Sequence, residues 1–96
     1  MKAKANMVKH EVLIQNRKGL HARASAQIVK IAESFDAETY ICYQERRVPA
    51  ESIMGLLMLG AGQGSLIIIE AEGNEAKKAI DSLVQLIENK FGEDQW

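Results

Sequence analysis

The sequence predicts an α+β protein: an open-faced two-layer sandwich, with a four-stranded antiparallel sheet carrying three helices on one face. Three observations predict it. Short segments with period-two apolar residues or β-branched and aromatic runs alternate with segments whose apolar residues recur every three and four positions. The element order reads βαββαβα, a mixture of long helices and a few strands that favours helices packed on one face of a sheet. No linker, repeat or low-complexity stretch interrupts residues 1–96, so one domain is expected, with its core at about 8–91.

Val8 to Gln15 carries Val8, Val12 and Ile14 at period two, which predicts the first strand, and Asn16-Arg17-Lys18-Gly19 is a turn signal. From Ala22 to Ser34, Ala24, Ile28, Ile31 and Ala32, followed by Phe35, form a helical stripe. Thr39-Tyr40-Ile41-Cys42-Tyr43 is β-branched and aromatic, the second strand. Gln44-Glu45-Arg46 turns the chain into a short third strand around Arg47-Val48, limited by Pro49, which has no N–H for the ladder. Ser52 opens a short helix through Ile53, Met54, Leu56, Leu57 and Leu59, and Gly60, Gly62 and Gly64 end it in a loop. Ser65 to Glu72 holds Leu66-Ile67-Ile68-Ile69, the fourth strand. Asn74 is placed to cap a last helix with Ala76, Ile80, Leu83, Leu86, Ile87 and Phe91 on one face, and Gly92 to cap its C-terminus.

Composition narrows the function. At 96 residues and 10.7 kDa the chain buries only roughly two-thirds of its unfolded surface, which argues against a deep substrate cavity. A net charge of −1 argues against a nucleic-acid coat or a polybasic membrane binder. The single cysteine, Cys42, excludes an internal disulfide and any zinc site that needs several thiolates, and suits a reducing compartment. The two histidines, His10 and His21, are too few for a histidine-rich metal cage, so no metal is expected. The start, MKAKANMVKH, lacks the apolar stretch of a secretory signal. The longest run without charged or polar side chains, Ile53 to Gly62, falls far short of the about twenty residues of a membrane span. A cytoplasmic location is expected.

The segment that carries chemistry is Asn16-Arg17-Lys18-Gly19-Leu20-His21-Ala22-Arg23-Ala24-Ser25. It sets a histidine where a helix begins. The positive end of a helix disfavours a protonated imidazole, which leaves a neutral ring with a lone pair free to attack. An anion on that ring would meet the amides of Ala22, Arg23 and Ala24, which precede the intrahelical ladder. Arg23 adds a guanidinium suited to phosphate oxygens. Physical chemistry thus points to a nucleophilic His21 that holds an oxyanion such as a phosphoryl group. The plainer alternative is a helix-capping histidine beside a surface arginine. Local charge favours the first: no carboxylate lies between Glu11 and Glu33, while Arg17, Lys18, Arg23 and Lys30 do, so that interval is +4 against −5 for the remainder.

Gly19-Leu20-His21-Ala22-Arg23-Ala24 and, further on, Ser52-Ile53-Met54-Gly55-Leu56-Leu57-Met58-Leu59-Gly60 resemble the two motifs of HPr. HPr is the histidine-containing phosphocarrier of the phosphoenolpyruvate-dependent phosphotransferase system. The resemblance runs from about Val8 to Phe91, and two motifs in register make it specific. It implies that His21 accepts a phosphoryl group on Nδ1 from phosphorylated enzyme I and passes it to an enzyme IIA protein or domain. Arg23 would help neutralise the phosphoryl charge, and no cofactor is implied. The protein would act as a stoichiometric carrier, supplying position and electrostatics. One position departs from the pattern: Ala24 stands where most members have proline, which leaves the subtype open.

The same resemblance makes Ser52, otherwise a plain N-cap, a site for regulatory phosphorylation by a serine kinase/phosphorylase. Ile53, Met54 and Leu57 would form the apolar docking surface for enzyme I. Methionines at helical spacing are more often core, and Leu56, Leu57 and Leu59 are expected to divide between core and surface. The glycines from Gly60 to Gly64 follow a helix and precede a strand with no Lys-Ser/Thr behind them, so they read as a cap and a turn. Strand parity sends Leu13, Leu66, Ile68, Tyr40 and Cys42 to the open sheet face, which suggests a weak self-association or partner contact there, with scattered exposed apolar residues as the plainer alternative. His10 reads as a strand-edge residue. Two alternatives stand beside the carrier: a nitrogen-branch regulatory phosphocarrier, and a non-catalytic α+β interaction domain.

Overall fold

The computed structural model describes residues 7–93; residues 1–6, the greater part of the MKAKANMVKH start that lacks a secretory signal's apolar stretch, and residues 94–96 lie outside the described residues. Four strands, β1 (Val8–Leu13), β2 (Glu38–Tyr43), β3 (Arg46–Pro49) and β4 (Leu66–Glu72), form one antiparallel sheet in the order β1-β4-β2-β3. Helices α1 (Ala22–Glu33), α2 (Ile53–Leu59) and α3 (Ala76–Glu88) complete the βαββαβα order. The α+β open-faced sandwich expected from the sequence is the observed fold.

The alternation along the strands explains which face is covered. Val12, Ile14, Ile41, Ile67, Ile69 and Ala71 are all buried and line the helix side of the sheet. They meet Ala24, Ile28 and Ala32 of α1, Leu56 and Leu59 of α2, and Ile80, Leu83 and Ile87 of α3. Each Val, Leu or Ile side chain among them, fully buried, contributes about 1.5–3 kcal/mol over an exposed one. Pro49 is tolerated because it ends an edge strand, opposite Tyr40. The β2–β3 hairpin pairs Tyr43 with Arg46, so only Gln44 and Glu45 form the turn, both with positive φ (50° and 68°), the handedness that two-residue hairpins favour.

The ends of α3 differ from the sequence reading. Asn74 is not the N-cap: Glu75 holds that position, without a side-chain capping bond, and Asn74 Nδ2 donates to Asp36 Oδ2 at 2.9 Å. The Asp36 backbone N–H donates to Glu75 Oε1 at 2.7 Å, so both residues tie the helix start to the α1–β2 connection. At the other end α3 stops with Asn89 as its C-cap. A 3₁₀-like turn over Lys90–Gly92 follows, in which Lys90, Phe91 and Gly92 all have positive φ. Phe91 therefore lies beyond the helix face it was assigned to, yet it is buried, because the turn points it back into the core.

The open face also differs in part. Leu13 and Leu66, directly paired across β1 and β4, are both exposed, whereas Ile68, Tyr40 and Cys42 are half-buried. The middle of the face is charged. Glu70 accepts from Arg47 Nε at 2.9 Å and lies 3.7 Å from Lys9 Nζ, and the Arg47 guanidinium sits 3.7 Å over the Tyr40 ring. The apolar character expected across the face is thus confined to the Leu13–Leu66 end. His10 is exposed on edge strand β1, as a strand-edge residue should be.

Candidate functional site

His21 is the N-cap residue of α1, with extended backbone (φ −81°, ψ −177°), and its ring makes no capping hydrogen bond to the helix. Two contacts hold it there from the turn before it. The His21 N–H donates to Gly19 O at 2.9 Å, and the Gly19 N–H to Asn16 O at 3.2 Å. Gly19 has φ +63°, a conformation that other residues rarely adopt. It also lies hard against the loop after α2, where an added Cβ would fall 2.5 Å from Ala61 O and 2.6 Å from Gly62 Cα. The Leu20 N–H donates to Ala61 O at 3.0 Å. The glycine-rich loop that read only as a cap and a turn is therefore the wall against which the histidine turn is built. Gly60 is indeed the left-handed cap of α2 (φ 66°, ψ 26°).

The first helical hydrogen bond of α1 runs from the Ser25 N–H to His21 O at 2.9 Å, so the amides of Ala22, Arg23 and Ala24 precede the ladder. Ala22 and Arg23 are exposed, whereas Ala24 is fully buried in the core, so the first two amides are the ones open to an anion from solvent. The Arg23 guanidinium is exposed, as are Arg17 and Lys18 on the turn.

One participant is not visible in the local sequence. Glu93, 72 residues further on, brings its carboxylate to the His21 ring, with Oε2 against Nε2. Its other oxygen, Oε1, accepts from Asn16 Nδ2 at 3.0 Å, and the same nitrogen donates to Gly19 O at 2.9 Å. Partial burial pushes the Glu93 carboxyl up, but hydrogen bonds from Asn16 and His21, and the charges of His21 and Arg23, outweigh it and hold it below its ordinary value. The basic interval that looked free of carboxylates thus receives one from the C-terminal turn. Neither Asn16, taken as part of a turn signal, nor Glu93 was singled out in the sequence. A chain reversal that brings residue 93 to residue 21 leaves no local pattern to find.

Ser52 caps α2, its Oγ accepting from the Gly55 N–H at 3.0 Å. The approach is close: a Cβ on Gly55 would lie 3.1 Å from both Ser52 Oγ and Val48 Cβ. On the outer side of α2, Ile53, Met54, Leu57 and Met58 are 40%, 65%, 37% and 67% exposed, while Leu56 and Leu59 are buried. The leucines divide as expected. The two methionines do not follow the usual core preference, because their positions on this seven-residue helix face away from the sheet. The loop after α2 meets the His21 turn through the Leu20–Ala61 bond, and α2 itself packs against α1, the helix that begins at His21. Among the described residues, no group of three His, Cys, Asp or Glu side chains could hold a metal ion, and no helix is long and apolar enough to cross a membrane.

The chain can be compared with known proteins on this geometry. The family profile described as the PTS HPr component phosphorylation site matches residues 8–89. The phosphocarrier protein HPr of Cupriavidus necator is 42% identical over 89 residues, covering 93% of this chain and all of that protein. The phosphocarrier protein NPr of Shewanella violacea is 40% identical over 86 residues, covering 90% of this chain and 94% of its own. The crystal structure of HPr-C-His from Thermoanaerobacter tengcongensis superimposes with a TM-score of 0.87 at 40% identity, covering 91% of this chain and 98% of that one. A histidine at a helix start, two separated motifs that meet in space and a near full-length match lead to one conclusion: the chain belongs to the HPr family, the phosphocarriers of the phosphotransferase system.

Proposed function

We propose that this protein carries a phosphoryl group on Nδ1 of His21, taking it from phosphorylated enzyme I and delivering it to an enzyme IIA protein or domain. The observation that carries the reading is the engagement of His21 Nε2 by Glu93. A carboxylate can only accept, so Nε2 bears a proton, and the neutral ring, the form that attacks, then has its lone pair on Nδ1. In the transfer, Nδ1 attacks phosphorus, an N–P bond forms there, and the donor's bond to phosphorus breaks with its electron pair leaving on the donor. The exposed amides of Ala22 and Arg23 and the Arg23 guanidinium meet the arriving oxygens. An exposed helix end contributes about 0.3–1 kcal/mol to an anion, modest stabilisation that suits a carrier which must release its load.

The exposed residues Ile53, Met54 and Leu57, joined by Met58, are the proposed docking surface for enzyme I. Phosphorylation of Ser52 by a serine kinase/phosphorylase would replace its capping hydroxyl with a dianion beside this apolar face and oppose docking without touching His21. Domain extent, cytoplasmic location and service to a sugar-uptake relay are parts of the same proposal. The nitrogen branch remains its alternative, since both HPr and NPr relatives match. Weak self-association through Leu13 and Leu66 is a further proposal on this reading, with sedimentation of Leu66→Lys against the native chain at high concentration as its check. An unchanged sedimentation coefficient would remove it.

The deciding experiment incubates the protein with phosphoenolpyruvate and enzyme I. The carrier reading expects an acid-labile label on His21 that His21→Ala loses and Arg23→Ala weakens. No label on the native protein would leave a non-catalytic α+β interaction domain, in which His21 is replaceable.

A further inference from the structure

The C-terminal turn spends unusual conformations to reach the site. Lys90 and Phe91 have φ of 56°, where non-glycine residues are rare, and Gly92 follows at 75°. Such conformations persist only where the surroundings enforce them. Here the burial of Phe91 in the core does so, and the next extended residue is Glu93 (φ −88°, ψ 143°). Its carboxylate is gripped at both oxygens, one by Asn16 Nδ2 and the other by the His21 ring. Asn16 is fully buried, and its Oδ1 has no partner. That orphaned acceptor shows what orients the amide: both Nδ2 hydrogens are committed, to Gly19 O and to Glu93. A buried polar group left unsatisfied is normally avoided, so the arrangement favours the link between residues 16, 93 and 21 over the comfort of the amide.

We propose that Glu93 is a positioning residue for His21, a carboxylate delivered by the C-terminal turn that keeps the ring proton on Nε2 and the ring plane fixed. The inference rests on the carrier reading, since its benefit falls on Nδ1. As Nδ1 forms its bond to phosphorus, positive charge develops on the ring, the Nε2 proton stays in place, and the charge lies against the Glu93 carboxylate. The same logic governs the carboxylate behind a catalytic histidine, which holds tautomer and orientation without itself taking the proton. Arg23 is then free to meet the phosphoryl oxygens.

Outer-shell carboxylates that orient metal-bound histidines are worth about 10–100-fold, and by that comparison a solvent-open site without a metal belongs at the lower end, about tenfold. The test compares the native chain with Glu93→Ala and Glu93→Gln, with thermal midpoints checked to confirm folding. Two quantities are read: the nitrogen and Nε2–H resonances of His21 by NMR, and the initial rate of labelling by enzyme I with phosphoenolpyruvate. In the native protein a slowly exchanging, downfield Nε2–H signal is expected. Glu93→Ala should lose that signal and label about tenfold more slowly, while Glu93→Gln, which keeps an acceptor but not the charge, should recover part of both. An Nε2–H signal unchanged in Glu93→Ala overturns the proposal, and so does a changed signal with an unchanged labelling rate. Failure of the carrier reading looks different: the native protein takes no label at all, and the NMR arm alone then decides the contact.

Discussion

Replacing Gly19 by alanine tests the central architectural claim, that the loop after α2 is the wall of the histidine turn. Gly19 has φ +63°, and the new Cβ would stand 2.5 Å from Ala61 O and 2.6 Å from Gly62 Cα, both backbone atoms that cannot rotate away. The left-handed conformation costs alanine about 1–2 kcal/mol. Moving the wall to clear the methyl group breaks the Leu20–Ala61 bond, worth about 0.5–1.5 kcal/mol, and a backbone shift in packed surroundings adds about 1–3 kcal/mol. Together these amount to about 2.5–6.5 kcal/mol, a large share of the about 5–15 kcal/mol that stabilises most domains. Urea denaturation should show this as a lowered midpoint with an unchanged slope. Gly62→Ala is the internal control: nothing lies within 4 Å of its added Cβ, so its stability should stay within about 0.5 kcal/mol of native. Below the denaturation midpoint, Gly19→Ala should also accept label from enzyme I more slowly, because its His21 N–H and Asn16 Nδ2 bonds converge on the displaced Gly19 carbonyl. If Gly19→Ala unfolded within 0.5 kcal/mol of Gly62→Ala, the two motifs would not be coupled as described.

Three further outcomes follow from the same structure. Ser52→Ala removes the acceptor for the Gly55 N–H and should cost about 1 kcal/mol in thermal or urea melts, with labelling of His21 retained. For Glu93, whose folded carboxyl lies below the ordinary 4.5, the stabilisation is present above 4.5 and lost as pH falls through the lower folded value. The stability difference between the native chain and Glu93→Gln should therefore be constant at neutral pH and shrink only below 4.5, followed by denaturation at a series of pH values. Burial raises the Cys42 thiol, with the charge of Glu70 and its hydrogen bond adding to the effect. Alkylation of Cys42 near neutral pH should accordingly be slow and should quicken in Glu70→Gln, with the rate–pH profile displaced to lower pH.

Much of this protein was legible in one dimension because its signals are local. Strand parity placed Ile41, Ile67 and Ile69 inside, and the helical stripe placed Ala24 and Ile28 there, since burial follows periods of two and three to four. Ser52 was readable as a cap because its bond to Gly55 spans three residues. His21 was readable because a helix start and a neighbouring arginine lie within three positions of it. Where the reading went astray, a distant partner overruled a local preference. Asn74, a good cap by type, bonds instead to Asp36 Oδ2, on the α1–β2 connection. Arg47 and Glu70 meet across strands and put charge into a face that parity alone made apolar.

The sequence by itself determined the sandwich, the histidine and the two motifs, because hydrophobic periodicity and turn chemistry act over a few residues. Only the tertiary structure decided how the site is assembled. Residue 61 supports residue 19 through a missing Cβ, and residue 93 reaches residue 21 through a left-handed turn anchored by Phe91. Both contacts depend on where the chain returns after an intervening strand or helix, and packing of the whole core sets that return.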